Sequence, residues 1–386
     1  MTMLRSVPTG ADAPDVDERP DRPTRDRTGY LLLFSLVAGL NVFGLVMVLS
    51  ASSVQGAQEG STWTYFTRQL LWLALGCVAL VVMLRIDYRR WRAFAPYIYA
   101  ISVVLLVLVL IPRFGVQING SRRWLQVGPQ RFQPSELAKL GLMLMAASTL
   151  AARQRVVRDH RRSLHPVLLL VAPVAALILL EPDLGTTIIV CTIVASQLVG
   201  AGVPWRPLVR IGALATLAAG ILALSADYRR ARLLGFIDPW ADPQGQTYHS
   251  LQSLIGLASG GIDGVGLGES RAKWGFLPNA HTDFIYAVIG EELGLIGTLT
   301  VLALFVMFGL LGYRAALGAP DVFGTLVATG VTTWLLTQAF VNMGGVVGLL
   351  PITGVTLPFM SFGGTSLLVN MAAAGLLLNI SRQART

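Results

Sequence analysis

The stretch FIYAVIGEELGLIGTLTVLALFVMFGLLG, Phe284 to Gly312, decides the fold class. Its only charges are Glu291 and Glu292, and it exceeds the roughly 20 residues that a helix needs to cross a bilayer. Hydrocarbon offers no water to backbone N–H and C=O groups, so a run of this kind must satisfy them internally, as a helix does. Comparable runs lie at Tyr30 to Ser50, Tyr65 to Leu84, Ala95 to Ile111, Leu137 to Ala152, Val167 to Leu180, Thr186 to Val203, Leu208 to Ala226, Val322 to Met343 and Gly364 to Ile380. The shortest is Val167 to Leu180; without it the C-terminus would change sides. Composition points the same way: the 386 residues are 54% hydrophobic and 13% charged, with mean hydropathy +0.62. Soluble domains average roughly a quarter charged residues, so a soluble enzyme is excluded. The expectation is an all-α polytopic membrane protein of about ten transmembrane helices.

Basic residues give the orientation. With the N-terminus inside, 19 Lys or Arg fall on inner segments and 10 on outer ones, with Lys139 left in a helix. That bias favours N-in and C-in. It places a large extracytoplasmic loop, about 227–283, between helices 7 and 8. The net charge of +9 therefore needs no nucleic acid partner; Arg153, Arg155, Arg158, Arg161 and Arg162 face anionic inner-leaflet lipid. Residues 1–29 mix acids, Arg and Pro without an apolar signal core, and read as a disordered cytoplasmic tail ahead of a membrane domain over 30–382. Cys77 and Cys191 sit inside apolar spans and imply packing, not a disulfide framework. His160, His165, His249 and His281 have no metal-ligand spacing, so no metal site is read.

Chemistry collects in the segment from Tyr228 to Glu292. There FLPNAHTDFIYAVIGEELG, Phe276 to Gly294, puts Asp283 where a polar loop becomes the apolar helix. A carboxylate at a helix start is electrostatically favoured, so Asp283 alone suits an N-terminal cap as well as a catalytic base. Its company favours the base: Arg229, Arg230, Arg232, Arg271 and Lys273 share the loop, and His281 lies two residues away. Glu291 and Glu292 follow at helical spacing, and structural pairing with a neighbouring helix suits them.

The other outer loops differ in character. INGSRRWLQVGPQRFQPSELAKL, Ile118 to Leu140, opens on an Asn-Gly turn signal, alternates apolar and polar residues, then reaches Pro134, Ser135 and Glu136, a helix start. Arg122, Arg123 and Trp124 suit the headgroup level as interface anchors. EPDLGTT, Glu181 to Thr187, holds two acids at the membrane edge, as a simple polar turn would. GLLPITGVTLPFMSFGGTS, Gly348 to Ser366, is too apolar for a free loop and too broken by Pro and Gly for a helix, so a segment re-entering the membrane edge is expected. Its glycines permit close backbone approach.

These motifs carry a resemblance. NGSRRWLQVGPQRFQPSELAKL, EPDLGTT, DPQGQTYHSLQSL, FLPNAHTDFIYAVIGEELG and LPITGVTLPFMSFGGTSLL stand in the order and spacing of the SEDS family (shape, elongation, division and sporulation), over essentially Tyr30 to Arg382. The resemblance implies a ten-helix fold and a peptidoglycan glycosyltransferase that polymerises lipid II on the outer face of the bacterial cytoplasmic membrane. AVIGEELG and GLGESRAKW are similar to the division subtype, at the septum; VNMGGVVGLLPITGV is also close to the elongation subtype. Phe362 departs from the family, which usually has Tyr before the paired glycines.

Extending a glycan from a lipid-linked sugar needs a hydroxyl made nucleophilic and a pyrophosphate leaving group steadied as charge develops. Asp283 matches the family's catalytic aspartate and is the candidate base. Arg229, Arg232 and Lys273 match family basic positions and are assigned to the pyrophosphate. Arg122, Arg123, His281, Ser361, Gly363 and Gly364 complete the candidate substrate-binding set. By resemblance the partners are lipid II, a class B penicillin-binding transpeptidase and other divisome membrane proteins; a divalent cation, magnesium or manganese, stays open as a cofactor. Two rivals are a lipid flippase or transporter, which should carry charges near the midplane and paired broken helices, and a noncatalytic scaffold, which would need no carboxylate among cations.

Overall fold

A computed structural model describes residues 26–118, 120–128, 130–157, 159–224, 236, 238, 240, 245 and 247–385. The segment expected to be a tail thus falls almost wholly outside the described residues. The membrane domain is helical: α1 (Arg27–Gln58), α2 (Thr64–Arg85), α3 (Tyr88–Leu110), α4 (Pro134–Ala152), α5 (His160–Leu180), α6 (Leu184–Gly200), α7 (Trp205–Leu224), α8 (Tyr248–Gly260), α9 (Ile285–Leu317), α10 (Val322–Val346) and α11 (Gly364–Gln383). Eight of these are long and apolar enough to cross a membrane, and α6 is a shorter apolar helix. The run at Val167 to Leu180 gains length because Asp159 caps its start by accepting from Arg161 N, and Pro166 is accommodated within it.

Polar side chains lock helix ends that would otherwise leave carbonyls unpaired. At the inner face Asn379 Nδ2 donates to Met83 O, Leu84 O and Ile86 O at 2.9, 3.0 and 2.6 Å, tying α11 to the end of α2. Nearby, Asp321 caps α10 through Gly324 N and accepts from Arg89 Nε at 2.9 Å and from Tyr88 Oη. Arg314 Nε meets Asp26 at 2.8 Å, which sets the lower part of α9 level with the foot of α1.

Between α3 and α4 lies a three-stranded antiparallel meander, β1 (Gly115–Ile118), β2 (Ser121–Val127) and β3 (Gln130–Phe132), paired Gly115↔Leu125 and Leu125↔Phe132. The alternation legible in the sequence is this sheet's pleat.

The largest departure from expectation is in α9. A straight helix from Asp283 to Arg314 would be about 46 Å long at 1.5 Å per residue. Yet Asp283 O accepts from Asn342, only about 30 Å above the start of α10 by the same rise. The chain resolves this by breaking at Gly294, whose φ of 65° and ψ of −160° are not helical. Tyr286 Oη then reaches Thr298 O at 3.1 Å, a contact impossible along a straight helix. The first part of α9 therefore runs near the outer edge instead of descending. Glu292 confirms the level, since Ser50, about 35 Å above the start of α1, donates to it at 2.6 Å. A straight descent would put Glu291 about 12 Å below Asp283, with both acids inside the membrane; the contact with Ser50 places Glu292 nearer the outer edge.

Loop residues 261–266 fill the break. Val265 N and Gly266 N donate to Glu291 O and Glu292 O, and Leu295 N and Ile296 N donate to Gly261 O and Ile262 O, at 2.9–3.2 Å. A side chain at Gly294 would be driven into Ile262 O and the Gly264 backbone, in a φ/ψ region that is nearly glycine-only. Gly294→Ala is expected to cost at least about 1–3 kcal/mol from the backbone conformation alone. Thermal unfolding in detergent checks this; a melting point within a degree of wild type would contradict it.

Candidate active site

Asp283 lies in the turn before α9, one residue ahead of the cap position, which falls to Phe284 with no capping side chain. Asp283 thus stands one position before the N-cap. The carboxylate lies against the segment connecting α10 and α11: a Cβ built on Gly354 would stand 3.5 Å from Asp283 Oδ2. Gly354 holds a φ of +74°, which lets its backbone approach the acid. Asn342, one turn from the end of α10, donates from Nδ2 to Asp283 O at 2.7 Å and to Val355 O at 2.8 Å. Asp283, Phe284, Asn342, Ile352, Thr353 and Val355 share the lining of one small pocket. The His249 ring stacks on Phe284 with centroids 6.0 Å apart, bringing the start of α8 to the same place.

The connecting segment is irregular and buried, as its composition requires: Val355, Leu357, Phe359, Met360 and Ser361 are all buried. It penetrates far enough for the Phe359 ring to meet Phe308 of α9 at 6.3 Å. On its far side it packs on α6, where a Cβ at Gly185 would touch Thr353 and Val355.

The remaining sequence candidates fall into separate places. Arg229 and Arg232 lie outside the described residues. Lys273 is buried; its ammonium donates to Gly268 O and stands 3.9 Å from Glu292, so it is a strut beneath the loop, and a pyrophosphate contact would require breaking that pair. Glu291 accepts from Ser270 Oγ at 2.5 Å, Arg271 N at 2.9 Å and Ala272 N at 3.2 Å, and Glu292 from Ser50 Oγ at 2.6 Å, so both acids are engaged within the fold. Arg123 donates from Nε to Glu181 O at 2.9 Å and to Pro182 O, and faces Asp183 at 3.5 Å. It therefore clamps the α5–α6 corner to the sheet instead of extending outward. Arg122 is in β2 opposite Gln117.

Ser361 closes its own turn, accepting from Leu357 N at 2.8 Å, which leaves its own O–H as a donor. Gly364 is glycine because a Cβ would collide with the Trp72 ring, so helix packing accounts for it; Gly363 occupies the N-cap of α11 in extended backbone. His281 is buried between Tyr65 and Phe362, at centroid distances of 4.6 and 5.4 Å. Burial pushes its pKa down to about 4, only partly offset by Glu59, so it is neutral near pH 7. Phe362 packs edge-on against Tyr65, whose Oη donates to Glu59 at 2.7 Å; a phenol thus reaches this cluster from α2.

Sequence reasoning missed Asn342 altogether, since one amide in an apolar span carries no signal. It also missed the partner of Lys139. That ammonium is held by Glu136 at 2.9 Å and Gln338 Oε1 at 2.9 Å, and lies 5.0 Å from the Trp334 ring. Gln338 Nε2 continues to Thr356 O at 3.0 Å, so the network ends on the segment that faces Asp283. Glu181, fully buried, has its pKa raised to about 9, first by burial and then by Asp183, against the pull of Arg123. Among the described residues no group of three or more His, Cys, Asp or Glu is placed to hold a metal ion.

This helical bundle, with an irregular segment set against a carboxylate, defines a polytopic membrane protein. The FtsW/RodA/SpoVE cell cycle protein family matches residues 30–386, and the chain belongs to that family. A probable peptidoglycan glycosyltransferase FtsW of Geobacter metallireducens is 42% identical over 352 residues, covering 91% of this chain and 94% of that one. Among solved structures, a chain of a peptidoglycan synthase complex that coordinates polymerization and crosslinking superposes with TM-score 0.76 at 33% identity, covering 91% of this chain and 97% of its own. Rod shape determining protein RodA of Thermus thermophilus gives TM-score 0.68 at 32% identity, covering 91% and 96%.

Proposed function

We propose that this chain is a peptidoglycan glycosyltransferase of the division subtype, which polymerises lipid II at the outer face of the bacterial cytoplasmic membrane during septal wall synthesis. The observation that carries the reading is Asp283 held between α10 and the connecting segment, at the outer end of a bundle whose relatives bear that activity in their names. In the reaction an acceptor sugar hydroxyl attacks the anomeric carbon of the lipid-linked donor. The new C–O bond forms as the bond to the lipid diphosphate breaks, and the hydroxyl proton passes to Asp283. General base assistance of this kind is typically worth about 10²- to 10⁴-fold.

Arg229 and Arg232 are our candidates for the departing diphosphate, since Arg forks suit phosphate oxygens. Lys273, which faces Glu292 at 3.9 Å, and Ser361, whose O–H is left to donate, are kept as candidates for substrate contact, and Arg123 is given the task of fixing the α5–α6 corner. A class B penicillin-binding transpeptidase is the proposed partner, in line with the synthase complex among the structural relatives. Transport is disfavoured by where the charge sits: Glu291, Glu292 and Lys273 lie at the outer edge, away from the midplane where a transporter would hold its substrate.

The test uses oriented proteoliposomes holding the protein and its transpeptidase partner, with labelled lipid II confined to the Asp283 side. Glycan strands should form on a gel without a membrane potential. Lipid crossing the bilayer with no polymer, unaffected by Asp283→Asn, would make transport the better reading.

A further inference from the structure

Asn342 is placed where two independent parts of the site meet. It is buried in α10, and one nitrogen, Nδ2, donates at once to the carbonyl of Asp283 and to that of Val355. An amide supplies two N–H donors on one nitrogen, and both are used here. The first fixes the turn that carries the acid; the second fixes the segment whose Gly354 lies against that acid. Its Oδ1 is buried with no protein partner, so Asn342 is not embedded in a larger structural network as Gln338 is.

A purely structural purpose explains this poorly. Both carbonyls belong to irregular backbone, where many arrangements could satisfy them, yet one side chain binds the pair and so sets the distance between Asp283 and the Thr353–Val355 wall of the pocket. Catalytic groups must be held within a fraction of an ångström of productive geometry, and a misplacement of about 1 Å can cost roughly 10² in rate.

We infer that Asn342 is a positioning residue for the glycosyl transfer: it holds the Asp283 turn and the Gly354 segment in register so that the carboxylate meets the acceptor hydroxyl. The inference rests on Asp283 being the base. It acts through Asp283 and does not itself touch the reacting atoms.

The experiment measures kcat and KM for lipid II polymerisation, with the melting point in detergent, for wild type, Asn342→Ala, Asn342→Asp and Asp283→Asn, each with the transpeptidase partner. Ala removes both hydrogen bonds. Asp preserves the shape while placing a carboxylate oxygen against two carbonyls. Both variants should lose about 10- to 100-fold in kcat, with KM within about threefold of wild type and melting retained within a few degrees. Amide exchange should rise over 281–286 and 353–356 and stay unchanged elsewhere.

Near-normal kcat in both Asn342 variants, with Asp283→Asn inactive, would overturn the positioning role and leave the glycosyltransferase reading intact. A loss of kcat matched by a general fall in melting point and exchange protection across the bundle would overturn it too, since Asn342 would then be only structural. An active Asp283→Asn would remove the premise itself.

Discussion

Asp283→Asn is expected to abolish glycan polymerisation by at least about 10²-fold while leaving a folded, membrane-inserted protein. The substitution retains the shape of the side chain and a carbonyl oxygen, and removes the negative charge and with it the basicity. The main-chain anchor survives as well, because Asn342 holds the carbonyl of residue 283 and not its side chain. The N-cap of α9 is Phe284, so stability should change little. Loss of rate without loss of fold is therefore the result that identifies a base, and gel-resolved glycan from labelled lipid II is the readout. A variant that polymerises at near wild-type rate would end the assignment. Asp283→Ala answers the same question less cleanly, since it also removes the atoms that stand against Gly354.

Much of this architecture was legible because membrane helices announce themselves by length and hydropathy, and α1, α2, α4, α5, α10 and α11 enclose the runs read for them. The connecting segment 347–363 was legible too, from its conflict of apolar composition with Pro and Gly. What the chain did not disclose was direction. Phe284 to Gly312 has the composition of one long span, and nothing marks Gly294 among its five glycines as the point of a break; that break depends on residues 261–266 entering from a distant part of the chain to accept and donate backbone bonds. The same limit governed the site. Clustered basic residues suggested a phosphate cradle, but Lys273 and Arg123 are turned to Glu292 and to the Glu181–Asp183 corner, pairings fixed by tertiary contact. Asn342 and Gln338 were invisible because isolated amides in apolar helices gain meaning only from the carbonyls and side chains they meet.

Lys139→Met should be the most damaging single change in the bundle interior. Lys139 and Glu136 are both buried on α4, with 1% and 5% of their surfaces exposed, and the ammonium lies between Glu136 and Gln338. Removing the cation leaves a carboxylate enclosed without its charge partner, a change that typically costs about 3–5 kcal/mol. That approaches the whole net stability of many proteins, roughly 5–15 kcal/mol. The damage should also travel, because Gln338 carries the network to Thr356 O and so to the wall opposite Asp283. Fluorescence-detected size exclusion after a heat step would show Lys139→Met losing its monodisperse peak well below the wild-type temperature. The decisive comparison is Glu136→Gln with Lys139→Met. With both charges gone the uncompensated carboxylate no longer exists, so the double variant should recover most of the lost stability. If the double variant is as unstable as Lys139→Met alone, the cost lies in the lost contacts to Gln338 and Trp334, and the ion pair is not what the single change breaks.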